Sequence, residues 1–355
     1  MSAKESERKD VSKTELSFRE EAILSSIVEF YITYGEPVGS KLLVTALPFA
    51  VSSATVRNEM AYLSELGLLE QPHTSAGRIP ADAGFRYYVD KLMPRLSPSN
   101  ADMFRITSSL DHTQGDPARL LSDACDVLSE LTGTAAAATT PYAAGALITA
   151  VQALPISAKT AMVVVTTSAG VVKSRVAKLP EEADYSLYEL FYNVAAAHFL
   201  NTPADAVTKA KLQTVVSSLG AHALQITPLL ICLYDAVSES VEADVIMRGH
   251  DVLYSQPGLR ETASAILRFT DDSEAFQELL RSGKKSPVSV RIGAENGYAF
   301  MRGASVVTAG YKAGENEAGV IGVIGSSSMD YSHVLPLVEY MSEAIGALLK
   351  EDNDS

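Results

Sequence analysis

The residues best suited to chemistry lie in the run VSSATVRNEMAY, positions 51–62. Ser52 and Ser53 are helix-capping types, and Thr55, Arg57, Asn58 and Tyr62 follow, with the small Ala54 and Ala61 between them. Asparagine pairs bidentately with adenine, arginine with guanine or a phosphate, and a threonine methyl meets the thymine methyl. Small residues let a helix approach base edges closely. Cap hydroxyls and the free N–H groups of a first helical turn hold a phosphate. These types suit a helix lying in a DNA groove. A plain surface helix would share the serine cap, so the surrounding elements must decide.

A second group spans QPHTSAGR, positions 71–78. A hairpin tip carrying His73, Thr74, Ser75 and Arg78 suits phosphate or minor-groove contact, although polar turns of this kind are common. Lys41 adds a cation upstream. The net charge of −14 argues against a polyanionic partner, but its distribution does not. Residues 1–95 hold 11 Lys+Arg against 13 Asp+Glu, so nearly all the excess acid lies beyond them. Positions 37–58 and 71–81 contain no carboxylate, which leaves room for a locally positive face.

The elements that would position these groups follow from spacing. Ser17, three residues before Glu20, fits a capping box, and Ile23, Ile27, Phe30, Tyr31 and Tyr34 recur at helical spacing up to Gly35. Residues 40–47 read as a short second helix ending at Pro48. Ser52 or Ser53 caps a third, with Val56, Met60 and Leu63 inward and Gly67 as its stop. A strand at 68–70, a turn-rich loop, a return strand at 78–79 and a helix from Pro80 complete the order of a winged helix-turn-helix. The expected organisation is a disordered tail over 1–16, this domain over 17–93, and a Pro/Ser-rich linker over 94–102.

Farther on, residues 103–133 read as helix and 133–144 as a small-residue stretch of little information. Strand-like runs follow at 146–154, 160–166 and 171–178, the last two joined by a turn at Ser168-Ala169-Gly170. Residues 184–282 are mainly helical, with a small hairpin expected between 245–247 and 252–254. Strands resume at 289–292, 304–311 and 317–324, before a final helix over 331–349. One mixed sheet interrupted by a helical insertion and two separate small α+β domains both fit this order.

Enzymatic readings find no footing. The six histidines are scattered without i, i+4 metal spacing, and there is no G-x-S-x-G, P-loop or G-x-G-x-x-G. Catalytic residues, metal and cofactor are all expected to be none. Cys125 and Cys232 form no framework, no signal-peptide core opens the chain, and no apolar run nears the ~20 residues of a membrane span. A cytoplasmic protein without membrane partners is expected.

The blocks PVGSK (37–41), VSSATVRNEMAYLSELGLLEQPHTSAGRIP (51–80) and GFRYYVD (84–90) resemble the HrcA family of heat-inducible transcription repressors. Weaker matches reach 249–254, Ile292-Gly293-Ala294-Glu295 and 323–331. The resemblance implies an α+β multi-domain protein. Its parts would be an N-terminal winged helix-turn-helix, a GAF-like domain in two segments (103–183 and 286–350), and a mainly helical dimerisation domain inserted over 184–285. It also implies a homodimer that binds an inverted-repeat operator of the CIRCE type ahead of chaperone operons, with the chaperonin GroEL assisting its folding. Ser326-Ser327-Ser328 departs from the family, which usually carries a Pro-Thr-Arg-like stretch before Met-Asp-Tyr.

Within the helical block, Leu187, Leu190, Phe191, Val194 and Phe199, and then Leu229, Leu230 and Leu233, exceed what one helix layer hides, so they are the expected dimer contact. The alternative is a metabolite-sensing winged-helix regulator with a small effector in the GAF-like domain.

Overall fold

The computed structural model describes residues 15–73, 76–111, 116–141, 145–241, 243–256, 258–282, 287–313 and 316–354, so most of the expected tail lies outside the described residues. Ser17 caps α1 (Phe18–Tyr34): the Glu20 carboxylate accepts the Ser17 N–H at 2.6 Å and the serine hydroxyl accepts the Glu20 N–H. Gly35 ends the helix in the left-handed region, at φ +69°. α2 (Ser40–Ala46) and α3 (Ser53–Glu65) follow. Ile23, Leu24, Ile27 and Val28 of α1 meet Leu43 of α2 and Val56, Met60 and Leu63 of α3 in one buried core. β1 (Leu69–Glu70) pairs antiparallel with β2 (Ile79–Pro80), Leu69 opposite Pro80. Pro80 therefore closes the hairpin, and α4 (Asp82–Tyr87) starts just after it and runs on into a π-helical turn, Tyr88–Leu92.

The single helix expected over 103–133 is two, α5 (Asn100–Leu110) and α6 (Pro117–Thr132). Ser99 caps the first; Asp116 caps the second, with Pro117 at its first position. The small-residue stretch then becomes β3 (Ala135–Thr139), buried at every position. Ala136 and Ala138 face one core and Ala135 and Ala137 another. Alanine is a poor strand former, but side chains this small let helices close on both faces, and packing overrides propensity.

β4 (Ile148–Ser157), β5 (Thr160–Thr167) and β6 (Val172–Lys178) form a three-stranded antiparallel sheet of their own. α7 (Tyr185–His198), α8 (Lys209–Ser218) and α9 (Ala223–Val241) belong with it, because Val151, Val163 and Val165 share one core with Phe191, Phe199, Leu229 and Leu233. The expected boundary at 184 thus falls inside a single core. The alternating burial of β5 is the reason: its covered side is covered by these helices.

β7 (Val245–Arg248), α10 (Val252–Ser255), α11 (Ala263–Thr270), α12 (Ser273–Arg281), β8 (Val288–Ile292), β9 (Ala304–Ala313), β10 (Asn316–Ser326) and α13 (Tyr331–Asp354) complete the described chain. The hairpin expected between 245–247 and 252–254 does not form: 252–255 is helical, and β7 pairs with β3, Met247 opposite Ala137. The five-stranded sheet has the order β7-β3-β10-β9-β8, with α6 and α13 on one face and α11 and α12 on the other. β3 and β7 leave this sheet side by side as the neck of the three-stranded module. There Thr140 N–H donates to Asp244 O, and Asp244 N–H to Thr140 Oγ1, both at 2.8 Å.

Candidate nucleic-acid interface

α3 is fixed from below by Val56, Met60 and Leu63, so the remainder of its surface is decided. Ala54, Arg57, Asn58, Ala61 and Tyr62 are exposed along one face, and Thr55 is half-buried at its edge. Tyr62 is 42% exposed, enough for its ring to reach a partner. Ser52 is the N-cap: its Oγ accepts the Thr55 N–H at 3.1 Å and sits 2.9 Å from Thr55 Oγ1. Ser53 is turned the other way, its hydroxyl 2.9 Å from that of the buried Ser40, which opens α2. The two serines of the cap therefore divide the work. Ser52 faces solvent, while Ser53 ties the starts of α2 and α3 together and sets their angle. Lys41, next to Ser40, is exposed beside them.

The hairpin stands beside α3. His73 is exposed, and its carbonyl accepts the Ala76 N–H at 2.9 Å. Thr74 and Ser75 lie outside the described residues. Arg78 is only half-buried in the hairpin base, and its backbone bridges to Val38 in both directions, at 2.8 and 2.9 Å. Its side chain turns inward, Nε donating to Ser64 Oγ on α3 at 3.0 Å. Gly77 is required here, since a Cβ would lie 2.3 Å from the Val38 carbonyl oxygen. Arg78 and Gly77 thus seat the hairpin against α3. Sequence spacing gave no sign of Ser64, which is unremarkable on its own helix and matters through a partner fourteen residues away.

Electrostatics favour an anion on this face. Arg57 and Lys41 are exposed within the carboxylate-free stretch, and the nearest acid on α3, Glu59, is 3.7 Å from Arg19. Among the described residues no group of three or more His, Cys, Asp or Glu side chains is placed to hold a metal, and no helix is long and apolar enough to cross a membrane. Burial pushes the Cys125 thiol well above its ordinary range, so that cysteine packs as a small apolar group.

The expected dimer contacts are not where dimerisation needs them. Phe191, Val194, Phe199, Leu229, Leu230 and Leu233 are buried within their own module, and Leu187 and Leu190 pack against its core. Their surplus over one helix layer is absorbed by the inner face of β4–β6. The module exposes apolar side chains on its helices, with Tyr185 and Leu224 each 83% exposed, and also across the opposite side of that sheet. Register places Leu154, Met162 and Val176 in one row and Ala150, Thr166 and Val172 in another, all pointing away from the helices. Leu154, Ile156, Val172 and Val176 are each more than two-fifths exposed, and these two rows carry no charge.

Residues 118–335 match the family profile described as HrcA protein C terminal domain. Proteins named heat-inducible transcription repressor HrcA match over nearly the full length. That of Acetivibrio thermocellus is 31% identical, over 92% of this chain and 94% of its own. That of Moorella thermoacetica is 32% identical, over 94% and 98%. The crystal structure of a hypothetical protein, 24% identical, superposes over 95% of this chain and 100% of its own with a TM-score of 0.61, and so shares the overall fold.

Proposed function

The chain belongs to the HrcA family, and on that premise we propose that it is a heat-inducible repressor that reads an inverted-repeat DNA operator as a dimer. Residues 18–92 act as a winged helix-turn-helix: α3 enters the major groove, and the β1–β2 hairpin is the wing. The carrying observation is the exposed face of α3, where Arg57 and Asn58 stand side by side between Ala54 and Ala61 above a solvent-facing Ser52 cap. Arg57 and Asn58 read base edges, while Ser52, Thr55, Tyr62, Lys41 and His73 contact the backbone. The five-stranded sheet with its helices is the GAF-like part. It carries the reading head, and the module from β4 to α9 carries the dimer contact.

Two copies are needed because a single winged helix contacts too few base pairs to select one site in a genome, and two-fold proteins match two-fold sites. The two uncharged rows on the outer face of β4–β6 support face-to-face sheet packing of two modules about that axis. GroEL assists folding to this dimer, a dependence that the long-range strand pairing of the five-stranded sheet supports.

Footprinting and gel shift on the promoter of a chaperone operon test the reading. Asn58→Ala or Arg57→Ala should each cost about 1–3 kcal/mol and relax discrimination at one base position per half-site. If both variants keep affinity and base preference, α3 is not the reader.

A further inference from the structure

An inverted repeat is selected by the distance between its halves as well as by its bases, since half-sites one helical turn apart are about 34–36 Å from centre to centre. A dimer discriminates spacing only if its two reading heads cannot swivel. Between the last turn of the reading domain and Ser99, which caps α5, no regular structure covers residues 93–99. Several residues of extended chain at about 3.3–3.6 Å each would let a tethered head wander by more than half a helical turn of DNA. The joint is nevertheless closed, by three segments far apart in sequence.

α4 supplies one side of this joint. Its Asp82 carboxylate accepts the Ala294 N–H at 3.0 Å, just after β8. Gly293, at φ +54°, makes that seat possible, because a Cβ there would lie 2.1 Å from the Asp82 oxygen. Arg86 forks onto Glu295, Nε to Oε1 at 3.0 Å and Nη2 to Oε2, and Nη2 also donates to the Val290 carbonyl at 2.7 Å. Glu295 is held in turn by its own loop, Oε2 accepting the Ile292 N–H at 2.9 Å. Phe85 lies between Tyr31 of α1 and Tyr331 of α13, its centroid 6.2 Å from each ring. Tyr331 is fully buried; its hydroxyl donates to the Ser327 carbonyl at 2.8 Å and accepts from Ser305 at 2.7 Å. An ion pair held bidentately from both ends, beside a buried aromatic stack, is directional in a way a greasy contact is not.

We propose that this clamp fixes half-site spacing, with Arg86 and Glu295 as positioning residues that set where α3 stands relative to the dimer axis. The inference rests on the operator-reading function proposed above. Among the described residues Arg86 makes its hydrogen bonds and ion pairs to Glu295, Val290 and Asp90 and not to α3 or the hairpin, so it acts through the angle of the whole head. With the clamp open, each head still reads its half-site, but the pair no longer arrives preorganised, and the gain from linking two binding events shrinks.

The full-length protein is titrated against duplexes with identical half-sites and spacers at the native length, one or two base pairs shorter or longer, and against a single half-site. Wild type should show one sharp optimum. Arg86→Met should lose about tenfold at the optimum, flatten the spacer profile to within about threefold, and leave single half-site binding within about twofold. Glu295→Gln keeps the shape and removes the charge, and should flatten the profile in the same direction; it is the reporter if Arg86→Met lowers the melting temperature. Variants that keep the wild-type spacer optimum and its sharpness overturn the clamp. Wild type that binds the inverted repeat no better than a single half-site overturns the operator reading instead.

Discussion

Arg78 Nε donates to Ser64 Oγ at 3.0 Å, and Ser64 donates in turn to the Met60 carbonyl at 2.9 Å. The hairpin base is therefore pinned to the face of α3 that meets the core, and Arg78 spends a donor on protein. Lys41, exposed at the start of α2, has no such engagement in the described structure. The two cations should then differ in their salt signatures. Lys41→Ala should lower the slope of log K against log salt by about 0.9, the value for one phosphate contact. Arg78→Ala should lower affinity with nearly the wild-type slope, because it displaces the hairpin instead of removing a counterion-releasing contact. Equal slope changes in both would return Arg78 to the phosphate-binding set.

Gly84 sits inside α4, where alanine would ordinarily be better by about 1 kcal/mol. A Cβ there would lie 2.1 Å from the Leu68 carbonyl oxygen, a backbone atom that cannot move without dragging the start of β1. The steric term outweighs propensity, so Gly84→Ala should destabilise by about 1–3 kcal/mol, read as a lower Tm. A stabilised variant would mean that α4 does not pack on residue 68 as described.

The module gives a paired test of what is core and what is surface. Val176 is 56% exposed on the outer face of β6, while Phe191 is buried beneath its inner face. Val176→Glu should keep the chain folded, lowering Tm only by the association energy it removes, and shift the sedimenting species from dimer to monomer, since an unpaired charge would have to be desolvated in the interface. Phe191→Ala should instead cost about 3–5 kcal/mol of module stability. A Val176→Glu protein that stays dimeric at micromolar concentration removes this face from the assembly.

What was legible in the sequence follows from where periodicity and capping agree. α1 and α3 were readable because Ser17 with Glu20 and Ser52 with its stripe of Val56, Met60 and Leu63 mark both a start and a covered face. The exposed face of α3 came with them. The module boundary was not readable. Val163 and Val165 alternate as strand residues do on any half-covered sheet, and nothing local says that Phe191 and Leu229, rather than α13, cover them. β3 was invisible for the opposite reason: four alanines carry no period, and only the helices closing on both faces select a strand there. The junction was visible only as scattered short blocks around Phe85, Glu295 and Tyr331, whose convergence is a tertiary fact.

β3 also sets the order in which the protein can fold. It lies between β7 and β10, with Ala137 opposite Met247 on one side and Gly322 on the other. Its neighbours thus come from about a hundred residues and more than a hundred and eighty residues downstream, across the whole module. Until β10 arrives, β3 lacks one of its two partner strands, and the strand-rich segment 318–325 stays exposed to other chains. A chaperonin that holds the chain through that interval would raise the yield of active dimer. Heat-damaged clients competing for the same chaperonin would lower it, which couples repression to folding load without a dedicated ligand. Refolding from denaturant with and without GroEL and ATP, followed by operator gel shift, should recover several times more binding in the chaperonin arm, with the larger gap at the higher temperature. Equal recovery in both arms would detach repression from folding and leave a small effector bound in the five-stranded sheet domain as the source of induction.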